Sequence, residues 1–374
     1  MSLLGDTYTL FLREMLIFKK NITMNMARSL MFPLIFILVL GSFGSSPKNV
    51  PIAVVNYDNG LGALNFTNML QSGNNVRVVS STTEQQAMTL LSKGLVAAVV
   101  VIPNGFTQTH GIGSSIYVYL DNSQPQSSEV ASAKINAVAL QIGARMVTSK
   151  LGTQSLVSVI TSYAYGAGSN YLSFVVGGLL VMVASFGAVF SAGFSLLSDR
   201  ELGNLKAFLT TPINKFSILL SKILYGTFQS IFSAYIGLVI GLLYGATVAA
   251  GAVGFLELIW IVFLVGFGFS AMAIALATRA KQLQTYALVS QTIIMPLSFL
   301  GGAFVPTTLL PGFLLPIVAV NPLAYAVDAV RDVMIKGFLP IATLVSVSAI
   351  LLAFTAVMTV LAFFLFKDTS RQVS

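Results

Sequence analysis

The 374-residue chain has no cysteine and a single histidine. The first absence excludes a disulfide framework, a thiolate zinc site, an iron–sulfur cluster and a cysteine nucleophile. The second leaves His110 unable to build a histidine-rich metal site or relay, so any metal would need carboxylate or carbonyl ligands. His110 reads as a bystander. Charge is also scarce: 9% of residues are Asp, Glu, Lys or Arg and 56% are hydrophobic, whereas soluble domains carry about 25% charged residues. So little charged surface cannot keep the exterior in water. This excludes a soluble enzyme and implies a polytopic α-helical membrane protein. The sequence has no G-x-x-x-x-G-K-[ST] phosphate loop and no H-E-x-x-H or G-x-S-x-G motif. No ATP site or hydrolytic centre can therefore be assigned to the chain.

What is present is a series of apolar runs. About 20 such residues cross roughly 30 Å of hydrocarbon, and six stretches qualify: 26–44, 171–197, 216–245, 254–278, 285–304 and 339–366. The formal charge is +8, but the basic residues flank the apolar runs and form no single patch, which argues for topology signals and against nucleic acid. With the amino terminus inside, Arg13, Lys19, Lys20, Arg28, Arg200, Lys206, Lys215, Lys222, Arg279, Lys281, Lys367 and Arg371 all fall inside, twelve of the twenty. Both termini are then cytoplasmic and the chain lies in the cell (plasma) membrane.

Residues 1–25 precede the first span. Phe11, Met15, Phe18 and Ile22 make one helical stripe, with Thr9, Arg13 and Lys20 opposite, which fits an amphipathic helix lying in the cytoplasmic interface. The basic lead-in and Ser/Gly-rich exit also match a signal peptide. The length of the lead-in favours an uncleaved start-transfer span over 26–44.

Residues 45–168 have a soluble composition. The β-branched runs 50–56, 76–80, 95–102 and 116–120 alternate with helix-compatible segments at 61–70 and 83–91, which predicts an inserted extracytoplasmic α/β domain. A long helix follows, in which Val130, Ala133, Ala137, Leu140, Ala144, Val147 and Leu151 keep a 3-4 spacing. Such a seam packs on its own sheet or across a subunit interface. Asn65-Phe66-Thr67 is a weak glycosylation acceptor motif.

Residues 169–374 form a five-span domain. Its stretch 305–337 is apolar but broken by Pro306, Pro311, Gly312, Pro316, Pro322 and Gly337, which predicts an outer re-entrant segment. Glu257 is the acidic residue that falls clearly inside a span, a possible pathway residue. A lone carboxylate disfavours ion-driven transport. Gly237, Gly241 and Gly245 repeat at four residues, as do Ala184, Ala188 and Ala192, a spacing that allows close helix packing within the chain or between subunits. Between the second and third spans, Leu202, Leu205, Phe208 and Leu209 share a helical face and Pro212 ends the pattern, placing a short amphipathic helix on the inner surface.

The run Arg200-Glu201-Leu202-Gly203-Asn204-Leu205-Lys206, followed by Thr211-Pro212, resembles the inner loop of type 2 ABC exporter permeases, which reads roughly Arg-Glu-x-Gly-Thr-Leu-Glu before a Thr/Ser-Pro turn. Arg200, Glu201, Gly203, Leu205, Thr211 and Pro212 match, while Asn204 and Lys206 depart. The run 300–306, Leu-Gly-Gly-Ala-Phe-Val-Pro, and Asn321-Pro322-Leu323-Ala324-Tyr325 with Arg331 beyond, are similar to the family's outer segments. The resemblance implies that 199–215 is the coupling helix docking on a separate ATPase, with ATP and Mg bound by that partner in two copies and no cofactor on this chain. It implies a second permease subunit, identical or related, surrounding membrane lipid, and an outer gate at Gly301, Pro306, Asn321, Pro322, Tyr325 and Arg331. An apolar pathway suits a lipid, drug or glycolipid moved outward. The alternative is a membrane-anchored extracytoplasmic receptor or assembly factor.

Overall fold

The computed structural model describes residues 3–42, 49–58, 60–72, 75–81, 83–107, 115–121, 125–147, 158–165, 171–307 and 310–373. His110 and Leu151 lie outside them, as does the predicted first span beyond residue 42. The chain divides into two compact units, one built from 42–174 and the other from 1–41 with 175–374.

The chain opens with α1 (Leu3–Lys20) and α2 (Ile22–Ser42). The inserted unit then carries β1 (Val50–Asn56), α3 (Leu61–Gln71), β2 (Val76–Ser81), α4 (Glu84–Ser92), β3 (Ala98–Ile102), β4 (Ser115–Asp121), α5 (Pro125–Val147) and β5 (Ser158–Tyr165). The sheet order is β2-β1-β3-β4-β5. All neighbours run parallel except β3 and β4, which pair antiparallel with Ala98 opposite Leu120.

β3 reads Ala-Val-Val-Val-Ile and is buried throughout, as a central strand covered on both faces must be. On one face Ile52, Val100 and Val118 meet Phe66 and Leu70 of α3 and Ile135 of α5. On the other, Val55 and Val99 meet Ala87 and Leu91 of α4. Two findings depart from the sequence expectation. The fifth strand was absent from it, and the buried stripe of α5 is Ala131, Ile135, Val138, Ala139 and Ile142, while Ala133, Ala137 and Leu140 of the predicted seam face outward. Isoleucine has more apolar area to hide than alanine, and it decides which face turns inward.

The remaining helices are α6 (Tyr171–Glu201), α7 (Asn204–Thr210), α8 (Lys215–Leu243), α9 (Gly251–Arg279), α10 (Leu283–Leu300), α11 (Leu315–Val320), α12 (Pro322–Arg331) and α13 (Ile341–Val373). Among the described residues six helices are long and apolar enough to cross a membrane: α2, α6, α8, α9, α10 and α13. The fragments 312–320 and 322–336 meet at 90°, an angle incompatible with one straight span. α10 stops at Leu300, short of the predicted 304, because Gly301 caps it and Gly302 turns left-handed at φ 82°. The alanine stripe of α6 packs on α8: a Cβ added to Gly226 would meet the Ala192 Cβ at 2.7 Å and the Ala188 carbonyl at 3.0 Å.

Candidate functional site

The middle of α1, the second turn of α8 and the last turns of α6 and α9 come together behind α7. Glu14, Asp199 and Lys222 are buried there, their side chains 5%, 6% and 3% exposed. Lys222 Nζ donates to Glu14 Oε1 at 2.7 Å, to Ser195 Oγ at 2.8 Å and to Asp199 Oδ2. Ser195 Oγ donates to Glu14 Oε2 at 2.6 Å. Arg13 closes the cluster with Nη2 at 2.7 Å from Asp199 Oδ1 and Nη1 at 2.9 Å from Glu14 Oε1. Its hydrogen bond to Asp199 holds the guanidinium pKa above the ordinary value, against the opposing effect of burial. Two carboxylates face two cations, so the cluster is neutral, the condition under which buried charge is tolerated.

This cluster positions α7. Asn204 Nδ2 donates to Asp199 Oδ1 at 3.1 Å, and the Arg13 guanidinium lies 5.2 Å from the Phe208 ring centre, a cation–π distance. Asn204, a departure from the family pattern, thus has a structural partner. Arg200 Nη1 and Nη2 donate to the carbonyls of Ala280 and Thr278 at 2.8 and 3.2 Å, where the last turn of α9 leaves acceptors without helical partners. Gly203 takes φ 77° between α6 and α7, a left-handed turn that disfavours other residues. Leu205 is buried and Phe208 half-buried, whereas Glu201, Lys206, Thr211 and Pro212 are exposed. Leu202 is 75% exposed, off the face expected for it, because it lies in the turn before α7.

Sequence reasoning missed Glu14, Asp199 and Ser195, and it read Lys222 as a topology signal. The available signal was Lys222 itself, two turns inside an apolar helix. α1 also differs from its predicted stripe: Leu10, Glu14 and Phe18 are buried, while Phe11 and Met15 are half-buried and Ile22 is exposed.

At the opposite end of this unit, Asn321 caps α12 by accepting from Leu323 N at 3.1 Å, and its Nδ2 donates to the Leu297 carbonyl at 2.7 Å. Pro322 occupies the first turn of α12. Gly301 lies against this junction, a Cβ there falling 2.9 Å from the Leu323 Cβ. Tyr325 donates to the Ala319 carbonyl at 2.7 Å, and buried Arg331 to that of Ala303 at 3.3 Å. Pro306 is buried. Glu257 is half-buried, with Oε2 meeting no partner among the described residues. The glycine repeat is corrected in part. Gly237 faces Pro33 and Gly241 faces Val176, but Gly245 lies beyond the end of α8 at φ 102°, where an added Cβ would meet nothing within 4 Å. The Gly245 amide donates to the Leu242 carbonyl at 3.1 Å in the turn that closes α8.

Midway along the helices, a cavity of about 420 Å³ opens between α2, α6, α8 and α10. Phe186, Phe190 and Phe194 form one wall, and Gln229 and Gln291 contribute amides.

A family model described as "ABC-2 family transporter protein" matches residues 28–364, nearly the whole chain. The chain belongs to this family. Among ABC permeases, it is 28% identical over 192 residues to the daunorubicin resistance ABC transporter permease protein DrrB1 of Streptomyces coeruleorubidus, covering 51% of this chain and 68% of the relative. It is 22% identical over 317 residues to YbhR of Escherichia coli K12, named a probable multidrug ABC transporter permease, covering 82% and 84% respectively. Nodulation protein J of Bradyrhizobium diazoefficiens is 24% identical over 170 residues, 45% of this chain and 64% of that one. As an ABC-2 permease the chain is a multi-pass membrane transport subunit that works with an ATPase subunit.

Proposed function

We propose that this permease exports a hydrophobic or amphipathic cargo (a lipid, drug or glycolipid) from the cytoplasm or inner leaflet, and that 199–215 is where its ATPase docks. The observation that carries this reading is α7: a seven-residue helix held from behind by the buried Glu14–Lys222–Asp199 cluster, with Glu201, Lys206 and Pro212 exposed in front. A helix fixed to two spans transmits closure of a cytoplasmic ATPase dimer, whereas a loose loop would absorb it. The two ATPase copies carry ATP and Mg, and a second permease subunit, identical or related, completes the pathway.

In this reading both termini are cytoplasmic, the α/β unit is extracytoplasmic, and Gly301, Pro306, Asn321, Pro322, Tyr325 and Arg331 form the outer gate. α1 rests at the inner face against α8. Membership of a transporter family favours transport over a receptor or assembly factor. The test is co-purification of the ATPase with this chain, followed by vesicle ATPase and efflux assays. Lys206→Glu and Pro212→Ala should weaken pairing and reduce ATPase stimulation. Unchanged complex formation and unchanged stimulation in both variants would overturn the docking assignment.

A further inference from the structure

Val130, Ala133, Ala137 and Leu140 of α5 hold the spacing of a heptad seam, the pattern by which one helix packs on another. The seam does not cover the sheet. Val130 at its start is half-buried, but Ala133 and Ala137 are exposed and Leu140 is 64% exposed, because Ile135, Val138 and Ile142 of the opposite stripe face the strands. In sequence the seam continues through Ala144 and Val147. One exposed leucine would need no explanation, but this seam has matched flanks. Successive helical residues turn by about 100°, so Glu129 and Asn136 lie along one flank, and Lys134 and Gln141 along the other. Glu129 is exposed and meets no cation among the described residues. Its own helix cannot supply one, since Lys134 stands about 140° around α5. There the Lys134 Nζ donates to the Ser72 carbonyl at 2.8 Å, which leaves the ammonium two further protons to give.

We infer that this outward seam is an interface between the α/β units of two copies of this chain, their α5 helices paired parallel and in register. That pairing sets a residue on the leading flank beside the one five positions later on the other helix. Glu129 then meets Lys134 of the partner subunit, and Asn136 meets Gln141 of the partner subunit, two amides that bond in either direction. Two-fold symmetry repeats each contact, so ion pairs and amide pairs border both sides of one apolar seam. An antiparallel pairing sets each flank against its own kind, and glutamate and lysine never meet. The stretch from Val130 to Leu140 is only about 16 Å long, a contact too small to hold two proteins together alone. It therefore acts beside other contacts of the full chain. That a second permease subunit is present rests on the transport reading; this inference makes that subunit an identical chain and gives the α/β units a contact of their own.

The chain has no native cysteine, so single cysteines report the contact directly. In membranes holding the full chain with its co-expressed ATPase, Ala137→Cys and Leu140→Cys should each give a disulfide-linked dimer on mild oxidation. The linked fraction should exceed by about tenfold that of Gln85→Cys, an exposed position on α4 at the other face of the sheet. In the Leu140→Cys background, Glu129→Lys sets like charges together on both flanks and should cut the linked fraction about fivefold. Lys134→Glu should do the same, and the two reversals combined should restore linking, which also shows that the loss in each single variant is not misfolding. Co-purification of two differently tagged copies is read separately. Copies that co-purify while positions 137 and 140 link no better than 85 overturn the interface and leave the paired-permease reading standing. Copies that neither co-purify nor link overturn the identical second subunit and the interface with it. Linking that ignores the single reversals, or that the combined reversal fails to restore, overturns the parallel pairing.

Discussion

Arg200 Nη1 donates to the carbonyl of Ala280 at 2.8 Å, tying the last turn of α6 to the residue that caps α9. With its second bond to Thr278 at 3.2 Å, the guanidinium spans two carbonyls that a single ammonium cannot hold in the same geometry. Arg200→Lys should therefore speed amide hydrogen exchange across 202–213, and Arg200→Ala should speed it further, with a loss of about 1.5–3 kcal/mol of local stability for the charged hydrogen bonds removed. Exchange unchanged from the parent would show that α7 is held without Arg200.

Lys222→Met leaves Glu14 and Asp199 facing each other with Arg13 as their one remaining cation. Removing one partner of a buried ion cluster costs about 3–5 kcal/mol, so the variant should melt well below the parent in detergent. Adding Glu14→Gln should recover part of the loss, because Arg13 and Asp199 then remain as a neutral pair. A double variant no more stable than Lys222→Met alone would assign the loss to packing.

Gly178 on α6 admits no side chain, since an added Cβ would lie 1.9 Å from the carbonyl oxygen of Ala303. That same oxygen accepts from Arg331. Gly178→Ala should push the segment after α10 away and cost about 1–3 kcal/mol or more, as overpacking does. Gly312→Ala, with nothing within 4 Å of the added atom, is the matched control and should be nearly silent in the same melting assay.

In the α/β unit the Asp58 carboxylate accepts hydrogen bonds from Thr107 and from the Gly60 amide, and these hold its pKa below the ordinary 3.8. A depressed folded-state pKa contributes stability that is present above the unfolded value and lost as pH falls through the folded one. Exchange protection around Thr107 should therefore persist from neutral pH down to about 3.8 and erode only below it. Asp58→Asn should lower protection at neutral pH and flatten the acid limb.

Elements whose signal is local were legible in the sequence. β1 occupies 50–56 as the β-branched run predicts, and α8 and α9 begin and end within a few residues of the expected spans. β5 was not legible, because its Ser-Val-Ile-Thr-Ser-Tyr-Ala-Tyr run mixes hydroxyl residues with apolar ones and it lies at the sheet edge, where one side needs no strand partner. α5 carries alanine on several faces, so two stripes satisfy helical spacing, and only packing on the sheet chooses between them. The α7 segment was legible as a motif, but the charges behind it were not. Arg13 and Glu14 stand 186 and 208 residues from Asp199 and Lys222 respectively, and hydrophobic periodicity carries no information about such distant polar pairs.

That separation governs the order in which the molecule can be assembled. At about 5–20 residues per second, a ribosome delivers Lys222 roughly 10–40 s after Glu14. Until then Glu14 has Arg13 beside it but lacks the Lys222 ammonium that its buried position requires. The leading helix must therefore remain wetted until the third long helix emerges, so its docking is a late step of biogenesis, one that a nascent polypeptide released before Lys222 never completes.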